Sequence, residues 1–458
     1  MHSRPGLRIP RVIVTARDDS VAPGFMFLTP RTVFPGRTGP VIIDHEGHVV
    51  WYHPQSSKRS AADLQPQVYL GKPVLTWSVR PPLVNEEDLY RGGRHTQYHV
   101  IADDSYRIIK RVRALGHGVS TDVHEFVITP QNTALVLGYR TLPRRLSAYG
   151  GPRSGTITDC LVQEIDIRTN RVLFSWSAAR HISLREAITK VTPTGAWDPY
   201  HLNSISVDSD GNLLVSSRHT STIYKIDRHS GRIIWRLGGR RSSFKMGPGT
   251  SFWYQHDAQR QRDGTLTLLD NRATDLDKSR GRESKALRLR LDTHARTATL
   301  VRSFRHPSGR SLTTSQGNAR VMDDGNLFVG WGVSPWFSEY APDGRLLFAA
   351  HFTSVWHHSY RAFKGAWSGH PSGKPAIVAA IDGAGLTVYA SWNGATGVAQ
   401  WRVLAGDDRA ALAPLGSFPW SDFETRMSFP AAPAFVQVEA LDASGAVIGA
   451  SEVVEPRR

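Results

Sequence analysis

Residues 224–235 read YKIDRHSGRIIW, and this phrase decides the fold because it recurs along the chain. It consists of an apolar stretch ending in Asp, a short turn, and a second apolar stretch that often ends in an aromatic residue. Two alternating strands around such a turn are typical of a β-hairpin. The other five copies read VIIDHEGHVVW at 41–51, HVIADDSYRIIKRV at 99–112, QEIDIRTNRVLFSW at 163–176, LRLDTHARTATLV at 289–301 and SEYAPDGRLLF at 338–348.

The spacing of the six hairpins predicts the architecture. Their Asp residues lie 51 to 65 positions apart, which leaves room for two further strands in each unit. Four strands at this period match one blade of a β-propeller, so residues 1–370 are predicted to form six blades. Aromatic residues at the hairpin ends, such as Trp51 and Trp235, are expected to pack between blades. The Asp residues, assigned a structural role in the turns, are Asp44, Asp103, Asp166, Asp227, Asp292 and Asp343.

A second region follows a linker rich in Pro, Gly and Ser at residues 370–375. Beyond it come short alternating strands such as LTVYASW and FVQVEALD, without the Asp-anchored hairpin of the first region. This pattern predicts a small β-sandwich resembling a fibronectin type III module over residues 371–458. The expected fold class is therefore all-β, a six-bladed propeller followed by a sandwich.

Composition narrows the class of partner. The chain has 56 Lys and Arg against 40 Asp and Glu, a formal net charge of +16, which suits anionic substrates. No run of five basic residues occurs, so a nucleic-acid partner is not expected. No apolar run approaches the ~20 residues that span a membrane. The single cysteine, Cys160, permits no intrachain disulfide, and the oligomeric state stays open.

A second repeat carries the chemistry. Three units place a His at the start of a strand and an Arg 16 or 17 residues later, at the end of the next strand. The fourth copy has Gln316, Gly317 and Asn318 where the His would be. The three His and Arg pairs are His124 with Arg140 in DVHEFVITPQNTALVLGYR, His201 with Arg218 in YHLNSISVDSDGNLLVSSR, and His256 with Arg272 in QHDAQRQRDGTLTLLDNR.

These repeated positions predict a ring of imidazoles at one mouth of a propeller channel, because the innermost strands converge on the axis. Imidazole and guanidinium groups together suit a sulfate, phosphate or carboxylate. A purely structural role for the histidines is the first alternative. A metal site is the second, but no H-E-x-x-H motif or Cys pair occurs, and the arginines disfavour a cation. His219 is expected to alternate to the opposite side of its strand.

The segments DVHEFVIT, HLNSISVDSDGNLLVSSRHT, QHDA, SQGN and SWNGAT resemble the arylsulfotransferase family. The resemblance implies an enzyme that does not use 3′-phosphoadenosine-5′-phosphosulfate and needs no other cofactor. It implies transfer of a sulfuryl group from a phenolic sulfate ester to a phenol through a sulfated histidine. His256 resembles the nucleophile, His201 and Arg218 resemble the residues that hold the sulfate oxygens, and His124 resembles the remaining catalytic histidine.

The further substrate-binding candidates are Arg140, Arg272, Asn203 and Asn318. The expected partners are small molecules, an aryl sulfate donor and a phenol acceptor. The chain shows no signal-peptide core, which favours the cytoplasm by default, whereas the resemblance suggests a secreted or cell-envelope protein if the N-terminus is trimmed.

Three other functions can be considered, and two of them are compatible with the pattern. The first is a hydrolase or lyase that uses the same channel on another anion. The second is a non-catalytic propeller with a docking or adhesion sandwich, since propellers host many functions. The third, a quinone-dependent dehydrogenase, lacks support because the chain has no vicinal Cys pair and no evident calcium-binding acid cluster.

Overall fold

The computed structural model describes residues 1–31, 39–56, 58–81, 97–272, 283–383 and 385–457. This described part is almost entirely β-strand, so the expected all-β class is confirmed. Its helical content is one α-helical turn, α1, and three 3₁₀ turns, none of which is long and apolar enough to cross a membrane. These are α1 at Ala178–His181 and the 3₁₀ turns Ser147–Tyr149, Leu184–Glu186 and Arg218–Thr220.

The strands up to Gly365 form six sheets, numbered here along the chain and described from one edge strand to the other. Sheet 1 is β27 (His358–Gly365), β2 (Phe25–Arg31), β3 (Val41–Ile43) and β4 (Val49–Tyr52). Sheet 2 is β5 (Ser60–Tyr69), β6 (Lys72–Arg80), β7 (Tyr98–Ala102) and β8 (Ile108–Val112). Sheet 3 is β9 (Ser120–Ile128), β10 (Thr133–Arg144), β11 (Gly155–Asp166) and β12 (Arg171–Ser177), with β13 (Ala196–Trp197) paired to β11.

The other three sheets repeat this order. Sheet 4 is β14 (Leu202–Val207), β15 (Leu213–Ser217), β16 (Thr222–Ile226) and β17 (Ile233–Gly238). Sheet 5 is β19 (His256–Arg260), β20 (Leu266–Asp270), β21 (Lys285–Asp292), β22 (Thr297–Arg305) and β18 (Lys245–Met246). Sheet 6 is β23 (Asn318–Val321), β24 (Leu327–Gly330), β25 (Trp336–Tyr340), β26 (Leu346–Phe352) and β1 (Val12–Arg17).

All six predicted hairpins are confirmed, one in each sheet, as antiparallel strand pairs. The Asp that opens each turn explains its geometry. In the first hairpin, Oδ1 of Asp44 accepts hydrogen bonds from the backbone N–H groups of Glu46 and His48, at 2.9 and 2.8 Å. Asp103 and Asp227 accept equivalent backbone hydrogen bonds in their own turns, which fixes the hairpin register locally.

The first strand of each sheet, here called a central strand, contacts the first strand of the next sheet. The contacts run from β27 to β5, β9, β14, β19 and β23, and β23 contacts β27 again. Apolar clusters lie between successive sheets, each built from two of them. Trp51, Trp176 and Trp235 are buried in these clusters, as expected for residues that pack one unit against the next.

Two further sheets follow. One contains β28 (Ala376–Asp382), β29 (Gly385–Ser391) and β32 (Thr425–Phe429); the other contains β31 (Ala413–Pro419), β30 (Gln400–Gly406), β33 (Phe435–Leu441) and β34 (Val447–Ala450). Buried residues from both sheets, including Val388 and Trp401, share one apolar cluster. Asn393 connects this region to sheet 1, because its side-chain amide pairs with the backbone N–H and C=O of Tyr52 at 2.9 and 3.0 Å.

Candidate active site

Two of the three candidate histidines lie where a central strand begins, whereas His124 lies farther along its strand, so the expected position at a strand start is wrong for His124. His256 is the first residue of β19, His201 directly precedes β14, and His124 lies within β9. Their side chains are buried. His201 itself and Asp257, next to His256, have positive φ angles of 47° and 55°. Both strands also carry a register shift at this point, a bulge that re-aims side chains toward the neighbouring sheets.

His256 is held in one tautomer. Its Nδ1 lies 2.7 Å from Oδ1 of Asn271. The amide orientation of Asn271 is defined, because its Nδ2 donates to the carbonyl oxygens of Thr313 and Gln316, each at 3.0 Å. Nδ1 of His256 is therefore the donor, and Nε2 keeps its lone pair. Consistent with this, Nε2 accepts the backbone N–H of Gln316 at 3.2 Å.

Charge around His256 favours the neutral imidazole. Burial lowers its pKa well below the usual range, and the guanidinium of Arg218 lowers it further. Charge on His124 or His201 acts in the same direction, whereas the hydrogen bond to Asn271 opposes the shift. An unprotonated, buried imidazole among positive groups is suited to act as a nucleophile on an anion.

The other two catalytic candidates each have a carboxylate partner. Nδ1 of His201 lies 2.7 Å from Asp198, and Nδ1 of His124 lies 2.7 and 2.8 Å from the two oxygens of Asp122. Burial opposes ionisation of Asp198, but the charges of His219 and His201 outweigh it and lower its pKa to about 2. Each carboxylate accepts the Nδ1–H of its imidazole and so fixes the tautomer. Burial holds the pKa of His124 below its usual range, although the charge of Asp122 opposes this.

The rings of His124 and His201 are in edge contact, with centroids 5.1 Å apart. The ring of Tyr360, from β27, also packs against His124 at 5.4 Å. Sheets 1, 3 and 4 thus contribute to one cluster, and sheet 5 adds His256.

Arg218 is oriented by three groups. Its Nη1 donates to Nε2 of His219 at 2.9 Å, its Nη2 donates to the carbonyl of Thr314 at 3.3 Å, and its guanidinium lies over the ring of Tyr254 at 5.3 Å. The buried Nε–H has no acceptor among the described residues. Arg218 therefore retains a donor for a ligand oxygen.

The expectation for His219 is wrong, because residues 218–220 form a 3₁₀ turn in which strand alternation does not apply. His219 packs against His201 with ring centroids 4.6 Å apart, and its Nδ1 donates to the backbone oxygen of Asp198 at 2.7 Å. Burial lowers the pKa of His219 to about 3, so Nε2 stays available to accept from Arg218.

The two remaining arginine candidates lie in ion pairs within their own sheets. Arg140 donates from Nε and Nη2 to the buried Asp159, at 3.0 and 2.9 Å. Arg272 donates from Nε to the buried Asp270, at 2.8 Å, and from Nη2 to the backbone oxygen of Ser251. The structure does not bring either guanidinium into the hydrogen bonds of the histidine cluster.

The two asparagine candidates differ in their availability. Asn318 uses both ends of its amide on the backbone of Ala362, donating to its carbonyl oxygen at 2.7 Å and accepting from its N–H at 3.0 Å. Asn203 donates to the backbone oxygen of Gln255 at 2.8 Å, while its buried Oδ1 has no partner in the described part of the chain.

Side chains from the central strands also form a buried network of ion pairs, here called the charge network. Arg361, from β27, donates to both oxygens of Glu125 at 2.9 and 3.0 Å and to Asp63 at 3.2 Å. Arg320, from β23, pairs with Asp257 at 2.7 Å. Burial raises the pKa of Asp63 to about 7 against the effect of Arg361. Since Glu125 and Asp257 directly follow His124 and His256, this network fixes the backbone that carries them.

Two groups of described residues bring three possible metal-ligand atoms within 4.8 Å of one another. The buried group is Asp198, His201 and His219, and the more exposed group is Asp44, Glu46 and His48. In the buried group both Nδ1 atoms already donate to Asp198, and Arg218 lies on the third member. Because these nitrogen atoms are engaged and a guanidinium lies beside them, the buried group does not favour a cation. That the protein needs no metal stays a prediction.

A model of the arylsulfotransferase family matches residues 98–353, more than half of the chain. The chain belongs to this family. The matched region contains every residue of the histidine cluster described above except Tyr360. No curated protein matches this chain.

Two of the solved structures that match this chain do so at low sequence identity. One is a protein of unknown function from Bacteroides caccae, with 12% identity and a TM-score of 0.45, covering 75% of this chain and 99% of that chain. Another is virginiamycin B lyase from Staphylococcus aureus, with 10% identity and a TM-score of 0.32, covering 84% of this chain and 96% of that chain.

The groups that orient the three candidate histidines were not predicted from the sequence. Asp122 and Asp198 were visible as acids two and three positions before a repeated His, in DVH and DPYH. That spacing was a usable signal, because an acid so close in sequence can reach the imidazole of a turn or bulge. Asn271 and the backbone of Gln316 carried no such signal, since they reach His256 only through tertiary packing.

Proposed function

We propose that this arylsulfotransferase transfers a sulfuryl group from a phenolic sulfate ester to a phenol through a covalent intermediate on His256. In the proposed architecture, residues 1–370 form a six-bladed β-propeller with the site in its channel, and residues 371–458 form a fibronectin III-like sandwich. The contacts among the six central strands support the propeller, and the apolar cluster shared by two sheets supports the sandwich.

The observation that carries the proposed reaction is the protonation state of His256. Because Nδ1–H of His256 is committed to Asn271, Nε2 carries the lone pair, and the charge of Arg218 helps to keep the ring unprotonated. The backbone N–H of Gln316, which donates to Nε2 at 3.2 Å, has to give way before Nε2 attacks. Sulfuryl transfer, like phosphoryl transfer, mainly requires an in-line nucleophile and fixed donors on the equatorial oxygens.

In the first half-reaction, Nε2 of His256 attacks the sulfur of the donor. The bond between sulfur and the phenolic oxygen breaks as the sulfur–nitrogen bond forms, and the phenolate leaves with the electron pair. Arg218, through its free Nε–H, and His201 hold the sulfuryl oxygens. His124, paired with Asp122, takes up a proton on Nε2 when the anionic donor binds and gives it to the leaving phenolate, and this acid catalysis is worth about 10²–10⁴-fold in rate.

The second half-reaction reverses these roles. Neutral His124 takes the proton of the acceptor phenol while the phenolic oxygen attacks the sulfur on His256. The sulfur–nitrogen bond breaks, and His256 returns to its neutral form. Asn203, with an unpartnered Oδ1 beside the site, is the remaining substrate-binding candidate that the hydrogen bonds leave available.

The test is an assay with 4-nitrophenyl sulfate, reading nitrophenolate release with and without a phenol acceptor. We expect release to depend on the acceptor and the acceptor to appear as its sulfate ester. Release without an acceptor and without sulfated product would indicate a hydrolase. No release with any phenol, from a folded protein that still binds aryl sulfates, would contradict the transferase and favour a binding role.

A further inference from the structure

A second set of basic side chains lies beside the histidine cluster, and the mechanism does not use it. Arg80 ends strand β6 and is only 3% exposed. Its Nε and Nη2 are buried without an acceptor among the described residues. A buried guanidinium without a carboxylate is costly, and the pKa of Arg80 is correspondingly lowered, first by burial and then by the nearby charge of Arg31.

Arg31 and His358 complete this set, which we call the Arg80 cluster. Arg31 ends β2 and lies opposite His358, the first residue of β27, in the strand register. The side chain of Arg31 has no ion pair with the described residues. Burial lowers the pKa of His358 to about 3, and the charges of Arg31 and Arg80 act in the same direction. Arg31 and His358 are thus cross-strand neighbours, and the charge of Arg80 acts on His358 as well.

The Arg80 cluster adjoins the proposed reaction centre. Oγ of Ser78, two residues before Arg80, donates to the backbone oxygen of Val123 at 3.3 Å, and His358 lies two residues from Tyr360, whose ring contacts His124. Burial lowers the pKa of His124, and the charge of Arg80 acts in the same direction. The charge of Asp122 acts on Arg80, but within the described ranges no carboxylate accepts a hydrogen bond from its Nε or Nη2. In this part of the chain the Arg80 guanidinium therefore has no hydrogen-bonded counter-ion.

We propose that the Arg80 cluster binds a second anionic group of the substrate, such as a carboxylate, sulfonate or phosphate on the aromatic ring. Arg80 supplies the buried N–H donors and Arg31 supplies a second positive charge. The proposal deepens the proposed function, because it states that the donor or acceptor is an aromatic compound with two anionic groups. Guanidinium groups suit such oxygens through paired hydrogen bonds.

The test measures binding by isothermal titration, so that it does not depend on turnover. The probes are 4-sulfobenzoate, with two anionic groups, its methyl ester, with one, and benzenesulfonate. We expect wild-type protein to bind 4-sulfobenzoate about 10-fold or more tightly than the ester, as a charged hydrogen bond typically provides. Arg80→Gln should remove this preference while leaving the affinity for benzenesulfonate unchanged.

Three comparisons make the result decisive. Arg31→Gln should weaken the preference without the loss of a buried side chain, which covers the case that Arg80→Gln fails to fold. Arg290→Gln, on the exposed side of β21, serves as the matched control and should bind like wild type. Circular dichroism should show the same strand content for all variants.

The proposal is overturned if wild-type protein shows no preference for the doubly charged probe, or if the preference survives both substitutions. Equal weakening of all three probes in Arg80→Gln would also overturn it, because Arg80 would then hold the transferred sulfuryl group. Failure of the proposed function is distinct: it would appear as absent sulfuryl transfer with an intact preference for 4-sulfobenzoate.

Discussion

Nδ1 of His256 donates to Oδ1 of Asn271 over 2.7 Å, and this bond determines which imidazole nitrogen is unprotonated. Replacing Asn271 with Ala removes the acceptor and allows the other tautomer. We expect kcat for sulfuryl transfer to fall about 10- to 100-fold, as is common for an orienting partner. Asn393→Ala removes two hydrogen bonds outside the site and should leave kcat unchanged. An unaltered kcat in Asn271→Ala would show that packing alone fixes the ring.

His256 should be the only residue that carries the sulfuryl group. Enzyme quenched with donor alone should show roughly 80 Da, the mass of SO₃, added to the peptide with His256, as a covalent route requires. His256→Ala should lose this adduct and abolish transfer, and initial rates of the wild-type enzyme should follow ping-pong kinetics. Sequential kinetics, or an adduct on His201 or His124 instead, would refute the assignment.

Arg218→Lys should reduce kcat/KM by about 10²–10³-fold, because an ammonium cannot keep the contacts to His219 and Thr314 and still reach a sulfuryl oxygen. Arg290→Lys, on the exposed side of β21, provides the control for a general change of arginine to lysine. Loss of a fixed charge contact should cost far more than a factor of about two in kcat/KM. A value within that factor of wild type would therefore show that Arg218 takes no part in the reaction.

His306 predicts a specific dependence of stability on pH. It accepts from Ser308 and contacts Ser334 in a buried setting away from the histidine cluster, and burial lowers its pKa to about 4. Below pH ~6.5 the unfolded chain binds this proton and the folded protein does not, so stability falls as the pH falls toward 4.

His306→Gln removes this titration. Relative to wild type, the free energy of unfolding of the variant should be about 2 kcal/mol higher at pH 5 than at pH 7. The difference grows by about 1.4 kcal/mol for each pH unit below 6.5. Urea denaturation at the two pH values measures the change, with the exposed His294→Gln as the control. A difference that does not vary with pH would mean that His306 binds its proton equally well in the folded and unfolded states.

The charge network below the site should be sensitive to loss of one partner. Arg361→Met leaves Glu125 and Asp63 buried without their guanidinium and should destabilise the fold by about 3–5 kcal/mol. Arg345→Met, which breaks an exposed pair with Asp18, should cost at most about 1 kcal/mol. Denaturant midpoints compare the two, and similar values would show that the network is hydrated or internally compensated.

The sheets up to Gly365 were largely predictable because each hairpin is specified locally. An Asp that accepts backbone N–H groups two to four residues onward is a signal contained in one short phrase, as Asp44 shows. The pairing of β27 with β2, and of β1 with β26, had no such signal. These strands join segments distant in sequence, and only the closure of the tertiary structure specifies them.

Site residues were predictable where the same residue type recurs at equivalent positions of the repeated units. They were not predictable where the backbone conformation differs from one unit to the next. His124, His201 and His256 recur in the sequence and come together. Arg140 and Arg218 occupy equivalent repeat positions but differ in backbone. Arg140 stays in a strand directly opposite Asp159 and pairs with it, whereas Arg218 lies on a 3₁₀ turn that points it toward His219.

The pairing of β2 with β27 has a consequence for synthesis on the ribosome. Phe25 pairs with Gly365, so β2 lacks its neighbour until translation has passed five intervening sheets. An apolar edge strand that waits unpaired can associate with other nascent chains. Sheet 1 should therefore form last although its other strands emerge first, and the nascent chain should need chaperone protection of residues 25–52 in particular. Ribosome-stalled chains ending before β27 should accordingly show residues 25–52 open to protease while sheets 2 to 5 resist it.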